Sequence, residues 1–211
     1  MIKTEEVAVL QSHKFSYWGP YVAIMQVDPF FCKRLLKAGR ASTKKHNQNL
    51  AGQISYEKRF NIEKDKWILQ GMKLYIDTWI EGFKKWKTRP RFNPPYKLVD
   101  MWINCQKAGE HNPLHTHDHC DLSFVLWLKV PKAMLNEASK NKTTGIHPGY
   151  IHFCYGEEDW RCITDMSYKP AENVIMIFPS TLRHQVQPFT SKVTRISVAG
   201  NIKMLNTINA S

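Results

Sequence analysis

After Pro94-Pro95 the hydrophobic pattern of this 211-residue chain changes period, and that switch limits its fold more than any other feature. Residues 97–105, 122–130, 150–155, 161–164, 173–178, 184–188 and 193–202 are short runs of mainly β-branched and aromatic residues separated by turn formers, so each reads as a strand. Upstream the period is helical. Trp67, Leu69, Met72, Leu74, Ile76, Trp79, Ile80 and Phe83 predict an amphipathic helix of about twenty residues beginning near Ile62. Residues 21–27 predict an early strand, after which Asp28-Pro29 supplies an N-cap and a first-turn proline for a helix that stops at Gly39. Residues 41–61 are polar and aperiodic and read as a long loop, of the kind that often forms a lid or a binding segment. Residues 131–144 form a second polar connection, with a short helix expected around 134–139. Helices first and many short strands afterwards predict a mainly β, α+β domain. Its expected form is a jelly roll, or double-stranded β-helix, buttressed by N-terminal helices. The expected organisation is one domain over 1–211, with 1–95 as helical and loop support and 96–202 as the jelly-roll core.

Composition narrows the class. A hydrophobic content of 43% suffices for one sizeable core. No basic start is followed by an apolar stretch, and no apolar run reaches the roughly eighteen residues of a membrane span, so a soluble, unsecreted protein is expected. Cys32, Cys105, Cys120, Cys154 and Cys162 are scattered and lack CxxC spacing, which argues against a disulfide framework or zinc ribbon and fits reduced thiols in a cytoplasm. Of the net charge of +12, residues 1–110 hold 20 Lys+Arg against 10 Asp+Glu, and the remainder 10 against 8. The surplus is densest in residues 84–91, where cations alternate with an aromatic. Such a stretch reads as a solvated helix end plus loop in preference to a phosphate-contacting surface.

Chemistry concentrates in Asn112-Pro-Leu-His115-Thr-His117-Asp-His119, which runs directly into the apolar strand at 122–130. Two histidines at i and i+2 of an extended segment project from the same face, so His115 and His117 can reach one metal ion. A third, His184, follows Phe178-Pro179-Ser180 after another apolar strand. Arg195 and Ser197 lie two apart on the last strand, so both face the interior if either does. A buried arginine requires an anionic partner, either a bidentate ligand carboxylate or a protein carboxylate such as Asp100. With nine histidines in the chain, an isolated pair at this spacing would carry little weight; the order of all these residues on strands carries more.

In this order the residues resemble the iron(II)- and 2-oxoglutarate-dependent oxygenases. The likeness is to a subgroup with an HxHxxxxxS signature, here His115, His117 and Ser123, known mainly from marine bacteria and cyanophages, and related to prolyl 4-hydroxylase-like and aspartyl hydroxylase-like enzymes. It covers about residues 96–202. It implies Fe(II) and 2-oxoglutarate as cofactors, with His115, His117 and His184 as metal ligands and Arg195 and Ser197 on the distal carboxylate. It also places Ser123, Val125 and Trp127 on the face lining the cosubstrate pocket. Asn104 is a candidate polar contact to that pocket, or a strand-end turn residue. The implied reaction is a dioxygenase hydroxylation, with O2 splitting 2-oxoglutarate into succinate and CO2. A protein side chain is the favoured substrate over a nucleic acid. No membrane partner is implied, and the location is cytoplasmic, in a host cytoplasm if phage-encoded.

The superfamily's usual HxD would place a carboxylate at position 117, where this chain has histidine. The third ligand is therefore open among His117, a shifted Asp118 or Asp121, and water; strand parity favours His117 over Asp118. His119 and Asp121 also spell HxD but leave little room before Ser123 for the connecting loop seen in the superfamily. The missing carboxylate keeps a second reading alive: a jelly-roll module that binds metal or a partner, including nucleic acid, without catalysis. His111 and Asn112 are expected to shape the mouth of the site, and Tyr150, His152 and Tyr155 are substrate-side candidates no better than ordinary strand aromatics. Oligomeric state is not encoded in any of these features.

Overall fold

The computed structural model describes residues 19–46, 51–140, 147–157 and 161–205, apart from the side chains of 138–140. In chain order the elements are β1 (Ala23–Gln26), α1 (Pro29–Ala41), β2 (Glu57–Arg59), α2 (Lys66–Lys87), β3 (Tyr96–Gln106), β4 (Asn112–His115), β5 (Leu122–Lys129), α3 (Lys132–Lys140), β6 (Ile151–Cys154), β7 (Asp165–Tyr168), β8 (Val174–Pro179), β9 (Arg183–Val186) and β10 (Arg195–Met204). Six strands form a sheet in the order β1-β8-β5-β10-β3-β2, and four form another in the order β4-β9-β6-β7. All pairings are antiparallel. This is the expected jelly roll, with α1 and α2 on one side. None of the helices among the described residues is long and apolar enough to cross a membrane.

The pleat explains why β5 and β8 are apolar almost throughout. Phe124, Leu126 and Leu128 of β5 and Ile175 and Ile177 of β8 join one buried cluster with Leu35, Ile68, Met72, Ile76 and Trp79 of the two helices. Val125 and Trp127, with Val174, Met176 and Phe178, point the other way and pack with Ile151, Phe153 and Val186 of the smaller sheet. The larger sheet is thus buried on both faces, and its strands lose the polar alternation of a half-exposed strand. On β10 the same alternation sends Ile196 and Val198 toward the helices and leaves Arg195 and Ser197 on the barrel side.

Asp28 caps α1 as the sequence predicts, its side chain accepting from the Phe30 N–H at 3.0 Å with Pro29 in the first turn. The α2 helix ends at Thr88 in a left-handed conformation, φ 56°. The basic run 84–91 therefore is a helix end plus loop, and none of it lines either cavity described below.

Two expectations shift. The polar segment 41–61 contains β2, a three-residue strand paired to β3 through Glu57↔Asn104 and Arg59↔Trp102. Its own residues, Glu-Lys-Arg, carry no strand signal; the edge of β3 imposes the structure. The strand expected at 161–164 forms instead at Asp165–Tyr168, and Ile163 is 85% exposed. Here an apolar pair misled, because an outer strand of the smaller sheet needs little hydrophobicity to pair.

Candidate active site

The site lies between the two sheets. His115 is the last residue of β4 and pairs in register with His184 of β9, so the ladder itself sets these two rings side by side, centroids 4.3 Å apart. His117 lies beyond the end of β4. It is fixed by its N–H donating to the Ser180 carbonyl at 3.0 Å, and its ring stands 5.0 Å from that of His115 and 5.2 Å from that of His184. One nitrogen from each of the three histidines lies within 4.8 Å of the others, a spacing from which three imidazoles can hold one metal ion.

Ring orientation prepares them for it. His184 Nδ1 stands 2.9 Å from the Leu182 carbonyl and His115 Nδ1 stands 2.6 Å from the Pro113 carbonyl. A carbonyl can only accept, so both Nδ1 atoms carry the proton and both Nε2 lone pairs are free. Burial pushes the pKa of His184 down to about 3, with the neighbouring His115 adding to the effect. Burial likewise takes His117 down to about 4, again helped by His115. Both rings are therefore neutral at pH 7, the form that binds metal.

The carboxylates near this segment are placed otherwise. Asp121 accepts from the Met204 N–H at 2.8 Å and pairs with Lys203 at 3.1 Å, so it fastens the end of β10. His119 is exposed in a left-handed turn, φ 60°. Asp118 is exposed and borders the outer cavity beside His117.

Arg195 is fully buried. Its Nη1 donates to the Gly149 carbonyl at 2.8 Å, while its Nε has no partner, and among the described residues no carboxylate pairs with it. Desolvation lowers its pKa to about 10, which leaves it cationic. The protein carboxylate weighed as its partner, Asp100, is taken: it meets His46 Nε2 at 2.9 Å and Arg59 Nε at 2.6 Å. A buried guanidinium without an acid is costly unless an anion completes it.

Two cavities meet at the histidines. The inner one is narrow, about 40 Å³, and runs among His115, His117, His184, Asn104, Ser123, Ser197 and Arg195. Most of the residues singled out in the sequence thus meet at one place. Asn104 Oδ1 is buried there without a partner, and Ser123 Oγ donates to Asn201 Oδ1 at 2.9 Å. Trp127 is the exception. It pairs in register with Ser197 but sits in the core against Tyr168, rings 5.7 Å apart, and does not border the cavity.

The outer cavity, about 450 Å³, shares Trp102, Asn112, His115 and His117 with the inner one and opens onto residues the sequence reading missed: His46, Glu57, Arg59 and Asp100. Three of these come from the polar segment 41–61, whose reading as a binding segment was the only available signal. Tyr150, His152 and Tyr155 border neither cavity; His152 Nδ1 lies instead 2.9 Å from Ser167 Oγ.

Comparisons with known proteins agree with this geometry. Residues 100–201, a little under half the chain, match a family model described as "Putative 2OG-Fe(II) oxygenase". No curated protein matches the sequence. Among solved structures, the fold is similar to that of an oxidoreductase of the 2OG-Fe(II) oxygenase family from Burkholderia pseudomallei, with TM-score 0.57 and 12% identity over 86% of this chain and 84% of that one. It is also similar to a viral collagen prolyl hydroxylase from Paramecium bursaria Chlorella virus-1, with TM-score 0.55 and 14% identity over 87% and 96% of the two chains. HygX from Streptomyces hygroscopicus, solved with nickel and 2-oxoglutarate, matches with TM-score 0.53 and 8% identity over 86% and 82%. At such identities the structural likeness speaks for the fold, while the family match covers the strands that carry the histidines and Arg195. Over residues 100–201, which carry all three clustered histidines and Arg195, the chain is thus similar to the iron(II)- and 2-oxoglutarate-dependent oxygenases.

Proposed function

We propose that His115, His117 and His184 hold the iron, that Arg195 and Ser197 hold the distal carboxylate of 2-oxoglutarate, and that the enzyme hydroxylates a protein side chain. The observation that carries the reading is Arg195: a buried cation lacking an acid, in the same narrow cavity as three clustered histidines. With both cofactors bound, iron(II) and 2-oxoglutarate supply the oxidising power that places one oxygen of O2 on a substrate carbon, with release of succinate and CO2.

The chain's own residues bind, orient and exclude water. Arg195 keeps one guanidinium edge tied to Gly149 and leaves Nε to donate. The partnerless Asn104 Oδ1 offers an acceptor to the same cavity, and Ser123 and Asn201 brace each other at its wall. The Pro113 and Leu182 carbonyls hold the His115 and His184 protons at Nδ1. Phe178 and Val186, with Ile151, line the remainder and keep that end dry. Because the inner cavity is narrow, a dicarboxylate entering it has to move its walls apart.

A protein substrate is supported by the likeness to a collagen prolyl hydroxylase and by the larger cavity beside His115 and His117, which admits a side chain. The free cysteines fit a reducing cytoplasm. The test is anaerobic titration with Fe(II) followed by 2-oxoglutarate, monitoring the weak visible charge-transfer band of the complex. The band is expected at one equivalent of each. A folded protein that gives no band would refute the assignment.

A further inference from the structure

The wall of the outer cavity has a charge opposite to that of the chain. Among the lysines and arginines of the described residues, Arg59 alone borders this cavity, against three carboxylates, Glu57, Asp100 and Asp118. Pleating accounts for part of this. On β2, Glu57 and Arg59 face the cavity, while the intervening Lys58 lies over the Tyr56 ring, 4.8 Å from its centroid. Arg59 is spent on Asp100, which His46 also meets, so that carboxylate is compensated twice.

Glu57 is not compensated. It is 2% exposed, its Oε2 has no hydrogen-bond partner, and no cation lies within ion-pair distance among the described residues. Burial, with Glu110 nearby as a second cause, raises its pKa to about 7, so ionising it in place is costly. Asp118 adds a second carboxylate at the rim, beside His117, with no ion pair among the described residues. An acid held in a pleat position, sequestered from water and with no donor to its Oε2 among the described residues, is a group whose partner arrives from outside.

We propose that the outer cavity selects a substrate bearing a cationic nitrogen, ammonium or guanidinium, which Glu57 binds and Asp118 attracts. This deepens the oxygenase assignment and rests on it, since the same cavity borders His115 and His117. A cation seated on Glu57 would present its neighbouring carbons toward the histidines. A neutral or anionic side chain would leave the Glu57 carboxyl buried and unpaired. The recognised chemistry is shared by a lysine side chain, an arginine side chain and a free polyamine, and the probes below separate them.

The experiment is calorimetric titration of the full chain, loaded with Zn(II) and 2-oxoglutarate so that no turnover occurs. The probes are N-acetyl-lysine methylamide, N-acetyl-arginine methylamide, spermidine, the neutral isostere N-acetyl-norleucine methylamide and N-acetyl-glutamate methylamide. At least one cationic probe is expected to bind tenfold or more tighter than the neutral isostere, with the glutamate probe weakest. Glu57→Gln should collapse that preference to within about twofold, and Asp118→Asn, an exposed change that leaves folding intact, should reduce it severalfold. Equal binding of cationic and neutral probes, absence of binding by every probe at 10 mM, or a preference surviving both substitutions would each overturn the proposal. The cofactor reading fails separately: it falls if the parent shows no iron and 2-oxoglutarate band, whatever the probes do.

Discussion

The two cavities on either side of the histidines are opposites. The inner one is built of strands, His117 apart, and buries a cation, Arg195, without an acid among the described residues. The outer one is walled partly by the segment between α1 and α2 and buries an acid, Glu57, without a cation. In each case the fold bears an uncompensated group that a ligand of opposite charge would complete. The difference lies in what fixes the group. Arg195 opens β10, a ten-residue strand paired to both β3 and β5, whereas Glu57 hangs on a three-residue strand whose outer side is met only by the isolated bridge Lys45↔Lys58. The inner cavity is therefore expected to be the rigid one, and the outer the one that can adapt.

The largest expected effect falls on the histidines that the cavities share. His117→Ala should abolish or gravely weaken iron binding, measured anaerobically, while His117→Asp, which restores the superfamily's usual carboxylate, should retain it. Iron affinity unchanged in His117→Ala would mean a site of two histidines and water. Next in size is Arg195→Ala, which removes the inner cation without touching the metal. It should cost roughly 2 to 5 kcal/mol of 2-oxoglutarate affinity, the scale for truncating a buried charge pair, with iron binding kept. Equal 2-oxoglutarate affinity in mutant and parent would take Arg195 out of the site and end the contrast between the cavities.

What could be read from the sequence follows the same division. His115 and His117, and Arg195 with Ser197, could be paired because strand periodicity converts spacing into facing, and His184 and the roles of all five followed from the resemblance in their order. His117 reaches the cluster although it lies beyond β4; parity held there only because Ser180 receives its N–H. Glu57, Arg59, Asp100 and His46 could not be picked out. Their meeting depends on an edge strand with no hydrophobic signature and on a loop crossing back over β3, and no local pattern encodes either. Trp127 fails in another way: strand parity gave its face correctly, but at its position on β5 the barrel is already filled core.

Glu57 gives the outer cavity a pH signature. Its folded pKa is raised to about 7 from an ordinary 4.5. The folded state therefore holds the proton more tightly than the unfolded chain, and the contribution to stability is fully present below about 4.5 and lost as pH rises through 7. Glu57→Gln, which keeps the shape and cannot ionise, should raise the melting temperature relative to the parent at pH 8 and change it little at pH 4.5. The difference is on the order of 2 to 3 kcal/mol at most. A melting-temperature gap that does not widen between those two pH values would show that Glu57 is not a strained acid, and the charge contrast would lose its outer half.

Glu137 on α3 should show the opposite sign with a smaller amplitude, and so asks whether the barrel side depends on anything besides its ladders. Its carboxylate accepts from the Thr190 N–H at 2.9 Å, the Ser191 N–H at 2.6 Å and the Thr190 hydroxyl at 2.9 Å. It thereby clamps the turn that leads into β10 and Arg195. Those donors hold its pKa down at about 2 despite some desolvation in the other direction. A depressed folded pKa means that the stabilisation is present above about 4.5 and lost as pH falls toward 2. The clamp is largely open to water, so its worth is no more than about 1 kcal/mol, the scale of exposed charge interactions. Glu137→Gln should therefore melt slightly earlier than the parent at pH 7, and the two should converge near pH 2. Amide exchange at Thr190 and Ser191 should quicken in the variant, while exchange along β10 stays unchanged if the ladders alone fix Arg195. Faster exchange in β10 as well would show that the inner cavity, too, is held by a loop.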